Sequence, residues 1–168
     1  MKNPSRRAGK WLTWLTLYAA CAACGPAGEP AIDPGAARGE SLAESYKDFG
    51  EYVVHFSALS TNQLAPEVAR TYDIVRSENK AMLSIAILRK VEGTLGKSVA
   101  GEVVARATNL TGQLKSVALR RITEGDAIYY IAEMPVANGE TLIFDVDVTP
   151  EGEASRFSFR FKRTFYTT

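Results

Sequence analysis

From Phe49 onward apolar and polar residues alternate with period two, in blocks bounded by turn residues, which is the pattern of strands with one buried face. Tyr52, Val54 and Phe56 alternate with Val53, His55 and Ser57. Asn79-Lys80 leads into a largely apolar run at 81–88, suited to a central strand, which the glycines at 93 and 96 close. Residues 99–108 and 114–122 follow, parted by a break at 109–112. The last three blocks, 127–134, 141–149 and 155–165, are separated by turns rich in Gly, Asn, Asp and Pro. Leu142, Phe144, Val146 and Val148 share one face, as do Phe157, Phe159 and Phe161. About seven strands at regular spacing predict an all-β fold, an immunoglobulin-like antiparallel β-sandwich.

One stretch breaks the alternation. Leu64, Val68 and Tyr72 recur every four residues behind Pro66, which suits the first turn of a helix. A short helix is therefore expected between the first two strands, lying across one open end of the sandwich. It would serve as a cap over exposed core or, in the functional reading, as a lid over a pocket. A further helical turn is expected at 41–47.

Upstream of the domain the pattern changes. Lys2, Arg6, Arg7 and Lys10 precede an apolar stretch at 11–20, shorter than the roughly 20 residues that a spanning helix needs, so 1–24 reads as a cleaved leader. Arg6-Arg7 lacks the apolar followers of a twin-arginine signal, because Gly9 and Lys10 stand there, and the general secretory route is expected. Cys24, preceded by Ala22 and Ala23, fits lipid attachment better than Cys21 does; the alternative is cleavage after Ala20-Cys21-Ala22, releasing a soluble periplasmic protein. The C-x-x-C spacing of these cysteines lacks the folded context or second ligand pair of a redox or metal site. Residues 25–44, dense in Gly, Pro and Ala at their start, read as a flexible tether, and 45–168 as the domain. The expected location is periplasmic, with a lipid anchor in the outer membrane as the only membrane contact.

Charge removes one class of partner. The four leader cations account for the formal +1; without them 16 basic residues face 19 acidic ones, a balance of −3, and no nucleic-acid binding is expected. The hydrophobic share of 46% is that of a globular chain.

The stretches Leu64-Ala65-Pro66-Glu67-Val68-Ala69-Arg70, Arg76-Ser77-Glu78-Asn79-Lys80, Asn109-Leu110-Thr111-Gly112-Gln113-Leu114 and Gly125-Asp126-Ala127-Ile128-Tyr129-Tyr130 resemble an uncharacterised family of proteobacterial envelope proteins, a domain of unknown function of the DUF4426 type. The resemblance spans about residues 45–166. It implies a periplasmic β-sandwich and carries over no catalytic residue.

Candidate chemistry is sparse. His55 is the only histidine, without partners for metal binding or catalysis, and no metal or cofactor is expected. Asp145 and Asp147, two apart on a strand, lie roughly 7 Å apart on one face, a separation that suits an inverting glycosidase. The stronger reading pairs Asp145 with Arg160 and Asp147 with Ser158 across the final hairpin. That register, extended, aligns Arg120, Tyr129, Asp147 and Ser158 as an interaction face. Without a nucleophile and base pair, a non-catalytic protein-interaction or adaptor module is expected, its partner an envelope protein, with a binding module for a small ligand or glycan as the alternative.

Overall fold

Two antiparallel sheets pack face to face. The computed structural model describes residues 45–167, so the leader, Cys24 and the tether lie outside the described residues. The larger sheet contains β1 (Tyr46–Phe49), β2 (Tyr52–Ser60), β3 (Lys80–Arg89), β8 (Ala127–Pro135) and β7 (Arg120–Glu124) in that spatial order, with the two-residue β4 (Lys97–Ser98) beside β3. The smaller sheet runs β10 (Phe157–Phe165), β9 (Glu140–Pro150), β5 (Gly101–Asn109) and β6 (Leu114–Lys115). Strands β2, β3, β5, β7, β8, β9 and β10 are the long ones, which matches the expected count of about seven; β1, β4 and β6 are short additions at the margins.

Alternation sets the inner faces. Val54, Phe56, Leu83, Ile85 and Ile87 from the larger sheet meet Leu142, Phe144, Val146 and Val148 from the smaller one, all buried. Aromatic rings stitch the open side: Phe49 stacks on Phe157 at 4.8 Å between centroids, and Phe56 packs on Phe161 at 4.5 Å. At the other side Tyr130 reaches across from β8; its hydroxyl donates to the Gly101 carbonyl and accepts from the Gly101 N–H, both at 2.8 Å. A Cβ at Gly101 would lie 2.5 Å from the Thr149 carbonyl oxygen, so only glycine permits this approach.

Three expectations change. The described part of the predicted helical turn, 45–47, instead enters β1, because Gly50 (φ 80) opens a two-residue loop that folds Phe49 back opposite Tyr52. The block 114–122 is not one strand: β6 ends at Lys115 in the smaller sheet and β7 begins at Arg120 in the larger one. Val117 and Leu119 tuck against the core as the chain crosses between them. The short helix exists as α1 (Pro66–Thr71), behind a 3-10 turn at Thr61–Gln63, but it lies on the outer face of the larger sheet rather than across an open end.

One ion pair ties the smaller sheet's edge. Lys115 Nζ lies 2.7 Å from Glu140, with the two side chains only 14% and 11% exposed, and Asn109 Nδ2 and the Ala137 N–H also donate to that carboxylate. Burial alone would raise the Glu140 carboxyl, but the hydrogen bonds from Lys115, Ala137 and Asn109 outweigh it and hold it below the usual carboxylate range. Its contribution is therefore present above the unfolded carboxylate pKa and lost as pH falls through the lower folded one. Lys115→Met removes the cation that holds the carboxylate. A loss of about 1.5–3 kcal/mol at pH 7 is expected, shrinking toward acid pH in urea titrations repeated across pH; an equal loss at every pH would refute the pairing.

Candidate functional site

The outer face of the larger sheet is where the strands stop alternating. Ala81, Met82 and Leu83 are buried in succession, as are Tyr130, Ile131 and Ala132, so β3 and β8 are covered on both sides. The cover is α1. Ala69 of the helix and Ile74 just beyond it join Met82 and Ile131 in a second small hydrophobic cluster, with Leu64, Tyr72 and Ile122 at its margin.

The segment carrying α1 is fastened at both ends. The buried Thr61 hydroxyl donates toward the carbonyls of Val75 and Ser77 and accepts from the Ser77 N–H, closing the base of the excursion. At the far end the Tyr72 hydroxyl donates to Glu124, and Arg120 donates to the Tyr72 carbonyl. The bond to Glu124 holds the Tyr72 hydroxyl above its ordinary range. Asp73 takes the left-handed conformation (φ 52) that turns the chain from the helix to Ile74.

Between α1 and the sheet lies an open, mostly apolar cavity of about 250 Å³, walled by Leu64, Val68 and Tyr72 and floored by Ile122, Tyr129 and Ile131. Leu64, Val68 and Tyr72 are the residues named above for a lid. Tyr129 also borders two neighbouring hollows. One, of about 280 Å³, has the small side chains Ser57, Ser84 and Ala86 as its floor and His55 at its rim; the other, of about 500 Å³, lies under Val91, Thr94 and Gly96. Strand register explains the alignment: Ile122 pairs with Tyr129, and Ala86 pairs with His55, which in turn pairs with Tyr46. The three hollows follow one another along the outer side of β3, over Met82 and Ser84, then Ser84 and Ala86, then Ala86 and Leu88, and share Tyr129 as a border; together they make a trough.

The predicted interaction face is divided. Arg120 and Tyr129 stand on this larger sheet, with Arg120 opposite Ile131 rather than Tyr129. Asp145, Asp147 and Arg160 stand on the smaller sheet, so the row running from Arg120 to Ser158 does not exist; β8 and β9 follow one another in sequence but join different sheets. The final hairpin has the expected register: Arg160 Nε donates to Asp145 at 2.6 Å and the Ser158 hydroxyl to Asp147 at 2.6 Å. Arg106 of β5 adds a contact to Asp147 at 3.7 Å. Both aspartates are thus engaged in a cross-strand charge ladder on an outer face. His55 is exposed, its ring 5.9 Å from that of Tyr46. Among the described residues no three His, Cys, Asp or Glu side chains converge as metal ligands, and no helix is long and apolar enough to cross a membrane.

Comparison with known proteins agrees with this architecture. The family model described as "Domain of unknown function (DUF4426)" matches residues 46–168. A crystal structure of a DUF4426 family protein from Pseudomonas aeruginosa PAO1 is 29% identical, superposes with a TM-score of 0.64, and is covered over 99% of its length by 77% of this chain. FetP of uropathogenic Escherichia coli, expressed recombinantly in the periplasm, is 11% identical with a TM-score of 0.53, the match covering 75% of this chain and 95% of FetP. A copper-bound FetP variant is 13% identical with a TM-score of 0.50, the match covering 75% of this chain and 97% of that one. The FetP likenesses are of fold. No curated protein matches the chain.

Proposed function

Because the chain belongs to the DUF4426 family, whose description assigns no activity, its role has to be argued from its own surface, and we propose a non-catalytic envelope module that holds a segment of a partner protein against its larger sheet. The observation that carries this reading is the trough through Tyr129. Small-molecule sites enclose most of their ligand's surface, whereas three adjoining open hollows suit an extended chain that places successive side chains in them. Tyr129, 36% exposed at the centre, has the amphipathic character of an interface anchor.

The leader pattern supports periplasmic placement, and lipid attachment at Cys24 with the following tether would hold the trough away from the membrane surface. One observation favours the second reading, a small apolar ligand or glycan: the hollow beneath α1 is the most enclosed of the three and has the carboxylate of Glu124 at its rim.

Photocrosslinking residues placed in the full-length protein in cells separate these readings. Positions Val68 and Val91, at opposite ends of the trough, are expected to capture the same protein, and positions Glu102 and Arg160 on the smaller sheet are expected to capture none. Tyr129→Ala should weaken that association by at least about tenfold. Capture only from the smaller sheet, or a small molecule retained in native mass spectra with no crosslink from either trough position, would overturn the protein-docking reading.

A further inference from the structure

Strand β10 places Phe157, Phe159, Phe161 and Phe165 at alternate positions on its core-facing side, and the position this series leaves open is held by Arg163. An arginine in a core-facing register normally has a carboxylate beside it, because a buried guanidinium without an acceptor is unfavourable. Arg163 has none. Its Nε is fully buried without a hydrogen-bond partner, and no other hydrogen bond or ion pair of this side chain exists among the described residues. Its cross-strand partner is the apolar Leu142, and Glu140, two residues along that strand, is already engaged by Lys115.

The side chain borders a cavity of about 320 Å³ between the ends of β2 and β10, together with Ala58, Ser60, Gln63, Thr164 and Tyr166. Ser60 is only 4% exposed, and its hydroxyl likewise has no partner among the described residues. The terminal nitrogens of Arg163, which unlike Nε keep accessible surface, and the Ser60 hydroxyl border one polar hollow and have no acceptor among the described residues. At about 320 Å³ the hollow has room for an oxyanion head group.

We propose that this hollow is a binding site for a small anion bearing a carboxylate or phosphate group, which accepts hydrogen bonds from the terminal guanidinium nitrogens of Arg163 and from the Ser60 hydroxyl. The site lies at the end of the sandwich, apart from the trough around Tyr129, and does not depend on the reading of that trough.

The test uses the chain purified from cells that export it. Thermal unfolding and amide NMR shifts are followed on adding inorganic phosphate, acetate or citrate, against chloride at matched ionic strength. Phosphate or one of the carboxylates should raise Tm saturably and shift Ser60, Gln63 and Thr164, and whichever acts identifies the head group. Arg163→Met, which keeps the stem and removes the charge, should be at least as heat-stable as the parent without anion and should bind at least tenfold more weakly. Arg163→Lys keeps the charge without the fork and should fall between them, and it decides the matter if the methionine variant does not fold. A parent that responds to every oxyanion as it does to chloride, showing an adventitious ion only, or variants that respond as the parent does, would overturn the proposal.

Discussion

An alanine in place of Phe144 is expected to lower the unfolding free energy of the domain by about 3–5 kcal/mol, against the roughly 5–15 kcal/mol that a domain has in total. Phe144 is fully buried in the middle of β9, flanked on its own strand by the buried Leu142 and Val146, and its ring stacks on that of Phe161 at 4.8 Å. Truncation removes a contact through which the smaller sheet fills the space between the layers, and strands held in register on both sides cannot collapse into the void. Nothing covalent compensates, since both cysteines of the chain precede residue 25. Phe161→Ala is the matched control; its ring lies at the sheet edge and is only partly buried, so its loss should be the smaller of the two. Urea unfolding of parent and variants gives the comparison. A Phe144→Ala loss below about 1.5 kcal/mol would mean that the two layers repack, contrary to the close packing assigned to them here.

Much of this core was legible because strand alternation is a local property. Each of Val54, Phe56, Phe144 and Val146 announces its inward face through its neighbours two positions away, and the turn before β10 settles the pairing of Asp145 with Arg160. The family resemblance reached the same fold from other residues, those of α1, the turns and the start of β8. Lateral neighbours were not legible. Period two says which face of β8 is buried and nothing about whether its next strand pairs with it or crosses to the opposite layer. The short link at 136–139, with its Asn-Gly turn signal, reads as a hairpin although it joins two sheets. The interaction row through Tyr129 and Asp147 failed for that reason. Two signals were present and unused. Apolar residues on both parities at 81–83 and 130–132 require a cover on the outer face, which locates α1. Arg163, at the parity of four phenylalanines, marks the one charged intrusion into the core-facing side of β10.

Placing an aspartate at Ala69 is expected to release α1 while leaving the sandwich folded. Ala69 is the buried residue of the helix, 2% exposed, and it packs in a cluster distinct from the main core, with Ile74, Met82 and Ile131. A short carboxylate there cannot reach solvent, and its burial is more unfavourable than the docking of a six-residue helix is favourable, so the helix detaches. Once detached it has too few turns to persist alone. Hydrogen exchange should therefore show the amides of Ala69, Tyr72 and Ile74, bonded to Ala65, Val68 and Ala69 carbonyls, losing protection by about a hundredfold, equivalent to about 3 kcal/mol, while β2 and β9 keep theirs. The fall in global stability should be well below that of Phe144→Ala. An equal fall would show that the outer cluster and the main core unfold as one unit. The same variant separates the two meanings of the helix. Where α1 is a wall of the docking trough, Ala69→Asp removes the crosslinks formed from Val91 at the opposite end as well as those from Val68, because the partner segment loses the hollow that anchors it. Where α1 merely shields Met82 and Ile131 from water, the crosslinks from Val91 survive its release, and the docking surface contracts to the floor around Tyr129, Ser84 and Ala86.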